Sequence, residues 1–203
     1  MSHNLIQDAL FSAKSVAELD RIAIEQRQIP SLVLMKRAGR SVLTELLETF
    51  GPPSLLSIFC GSGNNAGDGY IVAALAAAKN IQVQVIELSQ NLSQDASSAR
   101  NFAAEANVCF VPFDSSLSIE EGIIVDSLLG TGYLGNLRQP YGEAIQLIND
   151  SGLPLVAVDI PSGLNADTGH VAEVAVQADL TVTFIGAKQG LFTGQGPAFC
   201  GDI

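Results

Sequence analysis

The segment that most constrains the fold runs from Ile58 to Tyr70, where an apolar strand passes through a glycine-rich turn into a predicted helix. Glycines in such a turn permit positive φ angles and let a ligand approach the backbone. The helix that follows presents unpaired N–H groups and the positive end of its dipole. The turn therefore predicts an anion site where a strand meets a helix. It also contains Asn64, Asn65 and Asp68, which a phosphate site does not require.

Predicted strands and helices alternate along the chain. Two helices, separated at Pro30 and ended at Gly51, precede the sheet. The later elements are predicted strands at 55–60, 82–88, 108–111, 123–126, 155–160 and 180–184, and predicted helices at 68–79, 93–106 and 141–149. Several strands are continuous apolar runs, which is typical of a parallel sheet covered on both faces. We therefore predict an α/β, doubly wound, mostly parallel sheet with helices on both faces, in one domain over residues 1–203.

Charge and hydropathy limit the partners. The net charge of −11 should repel nucleic acid, so no nucleic-acid partner is expected. The longest uncharged apolar run, Tyr70 to Ala78, is far shorter than the roughly 20 residues that span a bilayer, so no membrane association is expected. The three widely spaced cysteines fit neither a disulfide framework nor paired zinc ligands, which favours a cytoplasmic location.

Aspartates end, or closely follow, three of the predicted strands. Asp68, Asp126 and Asp159 each belong to a loop that also contains glycines. Because the carboxyl ends of parallel strands point the same way, and ligands bind in the crevice there, we expect these three carboxylates around one cleft.

Asn65, Asp126 and Ser162 offer an amide oxygen, a carboxylate and a hydroxyl from three loops. Such oxygen ligands suit an alkali or alkaline-earth cation better than zinc. The alternative is that Asp126 caps a helix or binds loop amides. Lys188 has two interpretations as well, a cation that neutralises a ligand phosphate and a solvated loop lysine.

Other functions compete for the glycine-rich turn. Gly61, Gly63 and Ala66 match a dinucleotide fingerprint, and Glu87 lies where a ribose-binding acid is expected, so a dehydrogenase is one alternative. The two preceding helices and Asp68 argue against it. A tight turn without a ligand is a second alternative. A serine hydrolase built on Ser162 is disfavoured because the G-x-S-x-G elbow is missing.

Several ordered motifs together resemble the YjeF N-terminal domain family, the NAD(P)H-hydrate epimerases. They are the segments 63–69, 125–132, 158–164 and 166–169, followed by the stretch from Thr181 to Leu191. The resemblance implies a Rossmann-like homodimer that epimerises the S and R forms of hydrated NADH and NADPH and binds a potassium ion. It also implies a functional partner or fused domain, an ADP- or ATP-dependent NAD(P)H-hydrate dehydratase.

Carried over by position, the resemblance makes Asn65, Asp126 and Ser162 the potassium ligands. The implied substrate contacts are Asn64, Asn65, Ala66, Gly67, Asp68, Gly130, Thr131, Gly132, Tyr133, Leu134, Gly135, Asn136 and Asp159. Inversion at C6 of the hydrated ring requires that carbon to become planar, and a carboxylic acid can supply and retrieve the proton. Asp159 is our candidate for that acid.

Some features depart from the family pattern. Lys36-Arg37, Asn165 and Ala187 stand where the family usually has other residues. The chain stops at Ile203, inside the final strand that the resemblance implies, which we interpret as a fragment or an isolated domain. A function of a different class, a non-catalytic scaffolding module, is also open. Three carboxylates in one cleft favour the enzyme, because a module without catalysis need not keep them.

Overall fold

The computed structural model describes residues 9–203. Its helices are α1 (Ala13–Glu25), α2 (Ser31–Phe50), α3 (Asn64–Ala77), α4 (Gln94–Glu105), α5 (Tyr141–Asp150) and α6 (Gln189–Phe192), with a 3₁₀ turn at Gly196–Ala198. Its strands are β1 (Leu10–Phe11), β2 (Leu56–Cys60), β3 (Val83–Glu87), β4 (Cys109–Pro112), β5 (Ile123–Ser127), β6 (Leu155–Val158), β7 (Leu180–Val182) and β8 (Ala187–Lys188).

Six of the strands form one parallel sheet in the order β4-β3-β2-β5-β6-β7. The chain builds outward from β2 to β4, returns to pair β5 with the other side of β2, and then builds outward in the opposite direction. The order therefore reverses between β2 and β5, and ligands of open α/β sheets bind at the carboxyl ends of the strands at such a reversal.

Both faces of the sheet are covered. Ile58 and Val125 pack with apolar residues of α2, α3 and α4, whereas Phe59 and Ile124 point to the other face and pack with α5. The alternation follows from the two-residue repeat of strands, and the continuous apolar runs follow from burial on both faces. The predicted fold class is confirmed.

Local signals explain several helix ends. The side chains of Ser12 and Ser93 accept hydrogen bonds from N–H groups in the first turns of α1 and α4. Gly51 follows α2 with a φ of +76°, a left-handed conformation that glycine adopts without strain. None of the described helices combines the length and hydropathy needed to cross a membrane.

Some predicted boundaries are wrong. Helix α3 begins at Asn64 instead of residue 68, directly after the extended Gly63. Strand β6 ends at Val158, because Asp159 turns the chain with a φ of +69°, and β7 ends at Val182. The parallel pair β1–β8 was not predicted.

Candidate functional site

A cavity of about 1170 Å³ opens at the reversal between β2 and β5. Its walls come from α1, α2, the first turns of α3, the loop at 128–138 and the residues that follow β6 and β7. The N-terminal helices therefore form part of the site, a role that their amphipathic pattern did not reveal.

The early start of α3 decides which of its side chains meet the cavity. Asn64 and Asp68 are four residues apart on the helix, so they share one face, and both line the cavity. Ser93 Oγ donates a hydrogen bond of 3.1 Å to Asn64 Oδ1. The Asn65 carbonyl accepts one from Ser127 Oγ, which joins α3 to the end of β5.

The glycines around the turn serve mainly close packing. A Cβ on Gly61 would lie 2.0 Å from the Leu128 carbonyl oxygen, and one on Gly69 would lie 2.6 Å from Ser127 Cβ. Gly63 lines the cavity, and a Cβ there would meet nothing within 4 Å. None of these three has a positive φ. The expectation that they supply left-handed backbone is therefore wrong, and Gly63 is the one placed for close approach of a ligand.

A buried cluster of oxygen atoms lies beside the cavity. Asp126 is fully buried and accepts hydrogen bonds from Ser162 Oγ (2.6 Å), Ser162 N (2.7 Å) and Leu128 N (3.1 Å). Burial raises the pKa of Asp126 to about 6, although these hydrogen bonds act in the opposite direction. Asp126 thus accepts hydrogen bonds from loop amides, which was the alternative to a role as a cation ligand.

The same cluster offers the oxygen donors of an alkali or alkaline-earth cation site. Asn65 Nδ2 donates to the Leu129 carbonyl at 2.9 Å, while the buried Asn65 Oδ1 has no hydrogen-bond partner in the described part of the chain. Leu129 N in turn donates to Ser162 Oγ at 2.8 Å. An orphaned buried oxygen calls for an explanation, and an ion is one. The donors of this cluster are an amide oxygen, a carboxylate and a hydroxyl, which are the ligands that hard cations prefer.

Asp159 faces the cavity and forms an ion pair with the buried Lys188. Lys188 is fully buried, and its Nζ donates to Asp159 Oδ1, to Thr183 Oγ1 (2.9 Å) and to the Phe184 carbonyl (2.9 Å). Asp159 Oδ1 also accepts from Phe184 N at 3.2 Å. Both interpretations of Lys188 were wrong, because it is neither solvated nor available to a phosphate.

The carboxylates in the cavity are Asp20, Asp68 and Asp159. Burial raises the pKa of Asp68 well above its ordinary value, and the charges of Asp159 and Asp20 add to the rise. The pKa of Asp20 on α1 is raised by burial and then by the charges of Asp95 and Asp159. Asp126, the third carboxylate that the sequence predicted around the cleft, is buried and does not line the cavity. The third carboxylate that lines it is Asp20.

Most of the predicted substrate contacts border this space. The predicted residues that line it are Asn64, Asn65, Asp68, Gly130, Thr131, Gly132, Tyr133, Leu134, Asn136 and Asp159. Ala66, Gly67 and Gly135 do not line it, and a Cβ on Gly67 would meet Met35 Cε at 2.7 Å. Three further charged residues line the cavity that the sequence did not assign to the site, namely Asp20, Arg37 and Arg138, of which Arg37 was noted only as a departure from the family pattern.

Glu87 is engaged within the protein. Tyr70 OH donates to it at 2.8 Å, and Arg100 Nε and Nη2 donate at 2.6 and 3.0 Å. Glu87 therefore has little capacity left to bind a ribose, the role it would have in a dehydrogenase. The contacts of Glu87 with Tyr70 and Arg100 therefore argue against a dehydrogenase.

Comparison with known proteins places the chain among named relatives. Residues 31–190 match the family described as YjeF-related protein N-terminus. The "NAD(P)H-hydrate epimerase" of Limosilactobacillus fermentum is 35% identical over 206 residues, which cover 98% of this chain and 96% of that protein. The "Bifunctional NAD(P)H-hydrate repair enzyme Nnr" of Coxiella burnetii is 39% identical over 196 residues, which cover 96% of this chain. Those residues span only 40% of the Coxiella burnetii protein.

A solved structure shares the fold. The crystal structure of yeast ynu0 (YNL200c) superposes with a TM-score of 0.78 and 20% sequence identity, over 90% of this chain and 82% of that one. At this level of identity the likeness establishes the arrangement of strands and helices and no more.

Proposed function

Because the chain belongs to the family of YjeF-related N-terminal domains, we propose that it epimerises the S and R forms of hydrated NADH and NADPH at C6. The relatives named as epimerases or repair enzymes support this activity, and one of them aligns over almost its whole length. The observation that carries the proposal is a cavity at the strand-order reversal that is lined by Asp68 from the second turn of α3 and by Asp159 from the segment after β6.

The chemistry needs one proton donor and one acceptor. In one direction the ring nitrogen lone pair forms a C=N bond as the C6 hydroxyl leaves with a proton as water. Water then adds to the opposite face of the planar carbon and loses a proton. We assign the donor role to Asp68, whose raised pKa lets it keep a proton at higher pH than an ordinary aspartate. Asp159, whose charge Lys188 balances, accepts the proton, and the roles exchange in the reverse direction.

The rest of the site positions the nucleotide. Asn64, on the same face of α3 as Asp68, is placed to orient the carboxamide or the ribose. Backbone N–H groups at Gly63 and in the loop at 130–136 are the proposed phosphate donors. Leu134 is 86% exposed at the rim and offers an apolar contact.

Potassium is the proposed cofactor, one ion per subunit, held by Asn65, Asp126 and Ser162. The orphaned Asn65 Oδ1 and the all-oxygen donor set support this assignment. When bound, the ion would supply a positive charge that neutralises the buried Asp126 and would connect the start of α3, the end of β5 and the segment that follows β6.

The direct test measures interconversion of the separated epimers, corrected for the spontaneous rate. Asp159→Asn and Asp68→Asn should each lower the catalysed rate by at least about 100-fold, as expected for loss of a general acid or base. Asp150→Asn, an exposed change at the end of α5, is the matched control and should keep the wild-type rate. A near-normal rate for a folded Asp159→Asn protein would remove Asp159 from the mechanism.

The partners remain part of the proposal. A dehydratase that consumes one epimer is the functional partner, either as a separate protein or as a fused domain like that of the bifunctional relatives. The homodimer and the cytoplasmic location are likewise proposed, and the free Cys60, Cys109 and Cys200 suit a reducing compartment. If the domain were a scaffold without catalysis, it would not accelerate consumption of the unfavoured epimer by a purified dehydratase.

A further inference from the structure

The cavity extends from the strand-order reversal in one direction only. Its lining comes from α1, α2, the start of α3, the loop at 128–138 and the residues after β6 and β7, and it includes nothing from residues 83–112, which hold β3, α4 and β4. In dinucleotide-binding sheets of the dehydrogenase type, the acid after the strand next to the fingerprint strand binds the adenosine ribose. Here the corresponding Glu87 is held by Tyr70 and Arg100. The adenosine half of a dinucleotide therefore needs another place.

Two arginines line the part of the cavity that α2 and the loop after β5 provide. Arg37 is exposed on α2, and Arg138 is exposed in the loop that precedes α5. Within residues 9–203, neither guanidinium takes part in an ion pair, whereas Arg21, Arg100 and Lys188 do. Arg37 and Arg138 are the basic side chains among the residues that line the cavity, so they are the cations available there to an anionic group of a ligand.

The charged side chains of the cavity belong to different walls. The carboxylates Asp20, Asp68 and Asp159 belong to α1, to the first turns of α3 and to the segment after β6, whereas Arg37 belongs to α2 and Arg138 to the loop before α5. An anionic group of a ligand would be repelled by the carboxylates and attracted to the arginines.

We propose that Arg37 and Arg138 bind phosphate of the adenosine half of the dinucleotide, which lies along α2 on the side of the reversal opposite β3. The inference rests on the proposed function and adds the direction in which the substrate lies. Guanidinium groups suit this task because they donate paired hydrogen bonds to phosphate oxygens. The phosphate is either the adenylyl part of the pyrophosphate or the 2′-phosphate of the NADPH form.

Equilibrium binding separates these two sources. The probes are ADP-ribose and its 2′-phosphorylated form, titrated into the wild type and into Arg37→Gln, Arg138→Gln and Arg40→Gln. Arg40 is the matched control, because it is exposed on the same helix and does not line the cavity. Both cavity variants should weaken binding about tenfold through loss of a charge-assisted contact, and the control should not change it. Weaker binding of both probes identifies the pyrophosphate, and weaker binding of the 2′-phosphorylated probe alone identifies the 2′-phosphate.

Several outcomes would overturn the inference. They are dissociation constants that stay unchanged for both probes in either cavity variant, an equal loss in Arg40→Gln, and no binding of either probe to the wild type at millimolar concentration. Kinetics give a second readout. For hydrated NADPH the variants should raise KM with kcat unchanged, whereas for the hydrated mononucleotide, which lacks the adenosine half, both constants should stay at wild-type values. A wild type that binds the probes through these arginines but does not epimerise would contradict the proposed function alone.

Discussion

At the scale of single residues, the buried ammonium of Lys188 explains how Asp159 is held beside the cavity. All three hydrogen bonds of its Nζ go to Asp159, Thr183 and Phe184. Taking both charges out of water costs free energy, which the pairing offsets only when the remaining donors and acceptors are satisfied. Asp159 also has a left-handed backbone at φ +69°, so both its main chain and its side chain are fixed.

Removal of this ammonium should destabilise the fold strongly. Lys188→Met leaves the Asp159 carboxylate without its cation, and we expect a loss of about 3 kcal/mol in the free energy of unfolding. Urea unfolding of the two single variants and of Asp159→Asn/Lys188→Met completes a double-mutant cycle. The double variant should lose less stability than the sum of the two single losses, and strict additivity would contradict the coupling.

The carboxyl of Asp68 should make stability depend on pH in a defined direction. Its pKa is raised in the folded protein, so the folded state binds the proton more tightly than the unfolded state does. The stability that comes from this tighter proton binding is therefore lost as the pH rises from about 4, the ordinary aspartate pKa, through the pKa of Asp68 in the folded protein. Asp68→Asn removes the cost of ionising a buried carboxyl, so the stability of the variant relative to the wild type should increase over that pH range. Parallel stability curves for the two proteins would contradict the shift, and Asp150→Asn serves as the control.

Some of the site residues were predictable from sequence because they obey the rule for strand ends. Asp68 and Asp159 follow strands of a parallel sheet, and the direction of those strands fixes where their side chains gather. Arg37 and Arg138 follow no such rule, since their place in the cavity depends on how α2 and a loop pack. The burial of Lys188 was equally hidden, because a lysine among glycines has the composition of a solvated loop.

At the scale of secondary-structure elements, the close contact between α3 and β5 sets the geometry of the site. Gly69 lets the helix lie against Ser127, and Gly61 lets the preceding turn pass the Leu128 carbonyl. Asn65 and Asp126 are thereby brought to the same edge of the sheet. Larger residues at these glycines would move the helix that holds Asn64 and Asp68.

Alanine substitutions should separate packing glycines from the one that borders the cavity. Gly69→Ala places a Cβ 2.6 Å from Ser127 Cβ and should cost about 2 kcal/mol in the free energy of unfolding. Gly63→Ala meets nothing within 4 Å and should cost about 1 kcal/mol or less, the part that a weaker N-cap accounts for. Urea midpoints of the two variants test this, and a Gly63→Ala loss as large as that of Gly69→Ala would refute the assignment.

The elements themselves were largely predictable, and their ends were less so. The long apolar strands and the amphipathic helices were recognised because many residues contribute to each pattern. The start of α3 was misplaced because two asparagines and a glycine are poor helix formers, and their helical conformation here depends on contacts with β5 and the loop after it. The strands β1 and β8 have two residues each, too few for a period to be recognised.

At the scale of the whole molecule, a bound cation would connect three separate parts of the chain. Asn65, Asp126 and Ser162 belong to segments that follow β2, form the end of β5 and follow β6. A ligand that binds only the folded protein stabilises it as a whole.

Potassium should therefore raise the unfolding temperature beyond the effect of ionic strength. A concentration 100 times the dissociation constant would add about 2.7 kcal/mol to the stability. Thermal melts in potassium chloride and in choline chloride measure the difference. Asn65→Ala should abolish it, whereas Asn64→Ala, the neighbouring change in the cavity wall, should keep it. An equal potassium effect in both variants would contradict the site.

The parallel pair between β1 and β8 governs when the site is completed during synthesis. It joins Leu10 to Ala187, and the N–H of Ala13 at the start of α1 donates to Asp167 at 2.6 Å. A ribosome makes α1 first, but the partners that fasten it emerge only after nearly all the described chain has been translated. The helix α1, which contains Asp20, can make these two contacts only after Asp167 and β8 have been synthesised. The wall of the cavity that α1 forms is therefore fastened after the strands β2 to β6 have emerged.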